Sequence, residues 1–216
     1  MITIKHKFLA SVVIEGQILP NRWDMNLNLI PNESIHNHHD IAIATDRVNV
    51  WIESMLDNSM LVGPQDMLTL KEMSMHPFAI GVHPLPDEPY DRILSICLYT
   101  KISSIMENKM FVDSIWLESY QSEGISHTYC SDDGDTALLK NLAVPGQEEF
   151  AEYWYRKDPV FFRVDNEGVT LTEQSWKDLG LSFDAANTSD GKVVPITKSK
   201  FKPRIIPGDK GDDSIA

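Results

Sequence analysis

Residues 1–30 hold two runs of two-residue periodicity, and these constrain the fold more than any other feature of the chain. Ile2, Ile4, Phe8, Ala10 and Val12 fall on even positions, Glu15 and Gly16 offer a turn, and Met25, Leu27 and Leu29 alternate with Asn26 and Asn28. Side chains of a strand alternate between its two faces, so each run collects its apolar residues on one side. The reading is a two-stranded antiparallel start, and an apolar face of that kind needs a second layer to cover it.

Two helical stripes can supply the layer. Asp40 follows a polar loop at 31–39 and is placed to cap a helix in which Ile41, Ala44, Val48, Trp51 or Ile52, and Met55 recur at steps of three and four. Asp46, Arg47, Asn49 and Glu53 fall off this stripe and read as its solvent face, and the helix is expected to end near Asn58. The second helix is expected from Pro89 to about Asn108, with Tyr90, Ile93, Leu94, Cys97, Leu98, Lys101, Ile105 and Met106 at helical spacing. Asp87, Glu88 and Asp91 cluster where they complement its dipole.

Residues 59–62 and 78–82 read as short strands, and the methionines at 67, 73 and 75 as packing material. Residues 110–120 read as a strand with Phe111, Asp113, Ile115, Leu117 and Ser119 on one parity. Val112, Trp116, Glu118 and Tyr120 fall on the other, and a turn at 122–124 leads into a partner strand at 125–130. Beyond Asp135 the expectation is short helices over 136–143 and 147–157, a hairpin of 160–164 with 169–171, and a last helix over 173–179 closed by Gly180. The fold class is therefore α+β: a mostly antiparallel sheet packed by two main amphipathic helices in a single domain, 1–184. Residues 185–216, rich in Gly, Pro, Asp, Ser and Lys, form an extended C-terminal arm. The core is expected at Val48, Trp51, Ile52, Met55, Ile93, Leu94, Cys97, Leu98, Ile115 and Leu117.

Charge divides the chain the same way. Its 32 acidic and 19 basic side chains give a formal charge of -13. Residues 187–216 hold six of the basic and four of the acidic ones, which leaves 13 basic and 28 acidic in the body, a charge of -15. Nucleic-acid affinity rests on clustered Lys and Arg, so this balance argues against duplex binding by the body. No apolar run approaches the ~20 residues of a membrane span. Glu15 stands where a leader cleavage site would be expected, so a soluble protein of the (host) cytoplasm is the expectation. With only Cys97 and Cys130 there is no disulfide framework, and Cys97 falls in an apolar stripe. Hydrophobic residues make up 42% of the chain, enough for a core that needs no metal or cofactor to hold it.

The densest chemical cluster is His36, His38, His39 and Asp40, imidazoles and a carboxylate that suit a first-row divalent metal, with His76 or His83 able to complete the site from across the fold. Its spacing matches no helical or finger pattern, and a solvated loop ending in the Asp40 cap is the plainer reading. His127 and Cys130 fall on opposite faces of a strand, which argues against a nucleophile pair. Asp132, Asp133 and Asp135 could hold calcium, but Ala143 stands where a calcium loop needs Glu. Asp113 and Glu118 have opposite parity. No phosphate loop, dinucleotide fingerprint or nucleophile elbow is present. In the arm, Lys198, Lys200, Lys202 and Arg204 alternate with Ser199, Phe201 and Pro203, so an extended conformation projects four cations to one side.

The blocks IAIATDRVNVWIESMLDNSMLV and PDEPYDRILSICLYTKISSIMENKMFVDSIWLES, within residues 40–120, resemble uncharacterised acidic proteins of large tailed bacteriophages. The resemblance implies a viral context, in which small proteins with extended arms are often virion or assembly components. It brings no catalytic motif and so no site residues.

Three functions compete. The first is a non-catalytic interaction or assembly protein, a virion or assembly component whose arm, through Lys198, Lys200, Phe201, Lys202 and Arg204, docks on a protein partner or on further copies of the chain. The second is a metal-dependent hydrolase in which His36, His38, His39 and Asp40 hold a divalent ion that activates water. The third is an acidic inhibitor that imitates DNA with its -15 body.

Overall fold

The computed structural model describes residues 1–34, 38–66, 80–122, 124–130, 148–165, 168–172 and 174–183. The alternating runs form β1 (Ile2–Ile14) and β2 (Gln17–Pro31), an antiparallel hairpin paired from Ile2 opposite Leu29 to Ile14 opposite Gln17. Glu15 and Gly16 take positive φ of 51° and 74°, as a tight hairpin turn requires. The left-handed region is strained for Glu15, and the Asp66 carboxylate steadies the turn by accepting from both backbone N–H groups, at 3.1 and 2.7 Å. On the inner face Phe8 stacks on Trp23, directly opposite, with ring centroids 5.2 Å apart. Such a pair adds about 1 kcal/mol to its area burial.

Six more strands complete the sheet: β3 (Ser59–Val62), β4 (Ile80–Pro84), β5 (Met110–Ser119), β6 (Ser126–Cys130), β7 (Phe161–Asp165) and β8 (Gly168–Thr172). The spatial order is β6-β5-β2-β1-β3-β4-β7-β8. The fold is α+β around this mixed sheet. Its centre is parallel, β1 beside β3 beside β4, and its flanks are antiparallel. Parallel pairing of β1 with β3 is possible because the two are not consecutive: β2 and a helical crossover lie between them and let the chain return in the direction of β1, which a tight turn does not allow.

That crossover is α1 (His38–Trp51), prolonged by a π-helical turn at Ile52–Leu56 in which the Asp57 N–H reaches the Ile52 carbonyl at 2.8 Å. α2 (Asp91–Met106) carries the chain from β4 back to β5, and a shorter α3 (Glu148–Tyr155) precedes β7. All three contribute to one main core against the inner face of the sheet, and every expected core residue is buried there. A smaller cluster of Val13, Met60, Val62, Val82 and Val164 lies on the other face. α2 is enclosed on nearly all sides, with Ser95, Thr100 and Lys101 buried beside its apolar residues, so it is a core helix rather than a surface one. Its first residue, Asp91, accepts from Trp23 Nε1 at 2.9 Å and Ser119 Oγ at 2.7 Å, which ties the helix start to β2 and β5.

Four expectations shift. α1 begins at His38, so Asp40 lies inside the first turn rather than before it. β5 carries a bulge where pairing passes from Asn28–Ser114 to Leu29–Val112, and Asp113 is the extra residue. The bulge reverses parity: Val112 joins Ile115 and Leu117 in the core while Phe111 is exposed. The last helix is a single turn, with Ser175 at its start and Gly180 at its end, rather than an element spanning 173–179. Arg47 is 3% exposed instead of facing solvent. The helix expected over 136–143, the methionines at 67, 73 and 75, and the arm lie outside the described residues.

A polar knot joins β4 to the helices. His83 is fully buried, its Nε2 2.8 Å from the Met55 carbonyl and its Nδ1 2.6 Å from the Tyr153 hydroxyl. A carbonyl only accepts, so Nε2 carries the hydrogen and Nδ1 accepts from Tyr153, which selects the neutral tautomer. Burial lowers the imidazole pKa to about 4; the Met55 hydrogen bond opposes that shift and the nearby Lys101 charge adds to it. Trp51 and Trp154 pack on the imidazole, and the Trp154 indole donates to the Pro84 carbonyl at 2.7 Å. Lys101, also fully buried, donates to the Arg156 and Asp158 carbonyls at 2.7 and 3.1 Å, and burial brings its pKa down to about 7.

The His83 shift sets an acid limb of stability. The folded state binds the proton less readily than the unfolded chain, so the contribution of His83 is complete above pH 6.5 and is lost as pH falls toward 4. By pH 4 the native protein should lose about 3 kcal/mol more than His83→Gln does over the same interval. Urea unfolding at a series of pH values measures this, and parallel pH curves for the two proteins would contradict it.

Candidate functional site

The described chain ends in a segment whose attachment is built from local signals. Ser175 Oγ accepts from the Asp178 N–H at 3.3 Å and donates to the Asp178 carboxylate at 2.7 Å, a capping arrangement at the start of the turn. At its end Gly180, with φ 72°, allows the Gly180 N–H to reach the Lys177 carbonyl at 3.0 Å and the Leu181 N–H to reach the Trp176 carbonyl at 2.7 Å. This paired closure is the Schellman motif, and it explains why Gly180 was readable as a stop.

The body receives this turn through Arg47. In α1 the buried residues are Asp40, Ile43, Ala44, Arg47, Val48 and Trp51, so Arg47 lies on the inward stripe. Its Nε donates to the Leu181 carbonyl at 2.7 Å. Its Nη1 donates to the Ile105 carbonyl at 3.2 Å and to the Glu107 carboxylate at 2.7 Å. The guanidinium carbon lies 3.8 Å from the Phe183 ring centroid and 5.0 Å from that of Trp176. Trp176 is pinned in turn by its indole N–H, which donates to the Lys157 carbonyl at 2.6 Å. Lys109 lies 5.0 Å from the Phe183 centroid and pairs with Asp40 at 2.9 Å.

Glu107 links the parts. It caps α2 in the left-handed conformation, φ 46°, followed by Asn108 at 61°. Two such residues in succession are uncommon without glycine and cost on the order of 1 kcal/mol or more each. The turn delivers the Glu107 carboxylate between Arg47 and Lys157, at 2.7 and 3.3 Å. Burial acts to raise its pKa, and the hydrogen bonds from Arg47 and Lys157 outweigh that and hold it below the usual range. Beside this network opens a cleft of about 290 Å³ lined by Arg47, Glu107, Lys157, Trp176, Lys177 and Phe183 among others, and a larger, more open cleft of about 500 Å³ shares Asp158 and Ser175 with it.

Those residues singled out from sequence that the structure describes do not line this cleft. His38 and His39 are exposed in the first turn of α1, and Asp40 is held by Lys109. Consecutive helical residues fan out by about 100°, so these three do not converge on one ion. His36, His76, Asp132, Asp133, Asp135 and the arm residues Lys198, Lys200, Phe201, Lys202 and Arg204 lie outside the described residues. His83 has both ring nitrogens engaged in the core. Among the described residues no three His, Cys, Asp or Glu side chains stand where they could share a metal ion, and no helix is long and apolar enough to cross a membrane. His127 pairs with the inward Leu117 and Cys130 with Ser114, so the two occupy opposite faces as their spacing implies. Arg47, Glu107, Trp176 and Phe183 were missed. The available signal was the position of Arg47 three residues after Ala44 and four before Trp51.

No protein-family model matches the chain, and no curated protein matches it. Among solved structures it is similar to an uncharacterized protein from Wolinella succinogenes, at 8% identity and a TM-score of 0.43, with 61% of this chain and 97% of that chain covered.

The two ends of the Glu107 bridge should differ sharply in weight. Arg47→Lys keeps the charge but serves fewer of its acceptors, and should lower unfolding free energy by about 2–4 kcal/mol. Lys157→Ala, at the exposed end, should cost under about 1 kcal/mol. Chemical denaturation of both variants tests this, and equal losses would contradict the geometry.

Proposed function

We propose that this chain is a non-catalytic interaction protein, a bacteriophage virion or assembly component, that docks on a protein partner or on further copies of itself through the arm at 185–216. What supports the reading is the seating of 174–183 on Arg47. The Arg47 hydrogen bond to the Leu181 carbonyl, that of the Trp176 indole to the Lys157 carbonyl, and two aromatic rings on the guanidinium hold the segment from which the arm departs, so the arm's reach is measured from a rigid footing and not from a loose end. The two long helices α1 and α2 form the packing layer behind that footing.

In the docked arm, Lys198, Lys200, Lys202 and Arg204 project from one side of an extended segment and Phe201 from the other. The cations meet an acidic surface, which the -15 body of another copy also offers. The site of action is the host cytoplasm, with incorporation into the particle.

Light scattering coupled to size exclusion, at low and high salt, compares the full chain with one ending at Asp184. The full chain should associate, with partner or with itself, more strongly at low salt. The shortened chain should stay folded, by its far-ultraviolet spectrum, and lose the association. Unchanged association after truncation would overturn the proposal.

A further inference from the structure

Arg47 is not used up by the contacts that hold the footing. Its three hydrogen bonds leave through Nε and Nη1, and Nη2 has no protein acceptor among the described residues. Only 3% of the residue is exposed, yet it lines the cleft of about 290 Å³. Phe183 on the guanidinium face and Glu107 on one edge set the orientation of the fork, so the remaining donor is held in place before any ligand arrives.

The rest of the lining fits an anion. Lys157 and Lys177 bring two further ammonium groups. Against these stand the carboxylates of Glu107 and Asp158. Both oxygens of Glu107 are already committed, one to Arg47 and one to Lys157. The titratable lining therefore carries an excess of one positive charge in a chain whose net charge is -13. A polar recess with a pre-oriented guanidinium and two lysines matches a tetrahedral or planar oxyanion, and its volume admits a small group rather than a folded partner.

We propose that this cleft is a binding site for a small oxyanion, a phosphate or carboxylate group, held by Arg47 Nη2 together with Lys157 and Lys177. Glu107 is its internal competitor: it occupies Nη1 and Lys157 when the site is empty and yields part of that charge when the anion enters. The site is built from 47, 107, 157 and 174–183. It does not rest on the arm reading, and loss of that reading leaves it standing.

The test is a thermal-shift and calorimetric titration of the full chain with potassium phosphate and with potassium acetate, against potassium chloride at matched ionic strength. Saturable stabilisation by phosphate, by acetate or by both beyond chloride supports the site, and the pattern tells whether a phosphoryl or a carboxyl group is preferred. The double substitution of Lys157→Ala and Lys177→Ala should weaken binding at least fivefold while the ligand-free melting temperature stays within about 2 °C, since both ammonium groups contribute through solvent-exposed charge. Glu107→Gln should tighten binding severalfold, a change of sign that simple loss of packing does not produce. Responses no larger than those to chloride, or equal affinity in the native chain and the double variant, would overturn the proposal.

Discussion

A guanidinium turned into the interior needs an acceptor for the hydrogens it takes out of water, because each unmatched donor there costs on the order of 1–3 kcal/mol. Through Nε and Nη1, Arg47 meets that requirement with groups from places far apart in the chain: the last turn of α2, the capping residue Glu107 and the carbonyl of Leu181. Removing any one of them would expose the same cost. The strained turn at Glu107 and Asn108 and the seating of residues 174–183 are both consequences, since each brings an acceptor or an aromatic ring to a cation that cannot be left alone.

The polar knot around His83 and Lys101 works by the same logic in the middle of the core. His83 is kept neutral by pairing one nitrogen with a carbonyl and the other with a hydroxyl, and Lys101 is placed so that its donors meet the carbonyls that follow α3. Tyr153 stands between them, its hydroxyl on His83 and its ring 4.9 Å from the Lys101 ammonium. The two clusters share a border: Arg156 and Asp158, whose carbonyls hold Lys101, flank Lys157, whose carbonyl holds Trp176. The segment 174–183 is thus joined to the core through the stretch 156–158.

Much of the fold was legible because its signals are local. The two-residue period of β1 and β2, the apolar stripes of α1 and α2, the hairpin of β7 with β8 and the stop at Gly180 are each written in a few neighbouring residues. The parallel centre was not, because the pairing of β1 with β3 and of β3 with β4 joins segments far apart in sequence. The bulge at Asp113 was hidden because a single extra residue leaves composition unchanged while reversing every side chain on one side of it. Arg47 was set off the apolar stripe because that stripe was drawn through apolar residues alone, although it stands three residues after Ala44 and four before Trp51. The candidate site was illegible for the same reason: its chemistry is that of buried, paired groups from 47, 107, 157 and 174–183, which no motif spans, while the conspicuous histidines at 38 and 39 face water.

Native-state hydrogen exchange at the Gly180 and Leu181 amides, in the native chain and in Arg47→Lys, tests the clamp most directly. Both amides are hydrogen-bonded within a turn that has little support of its own. The account expects them to open at a cost above about 3 kcal/mol in the native chain and close to zero in the variant, with the α2 amides still protected in both. Equal protection in the two proteins, or none in the native one, would show that Arg47 does not hold the segment in place.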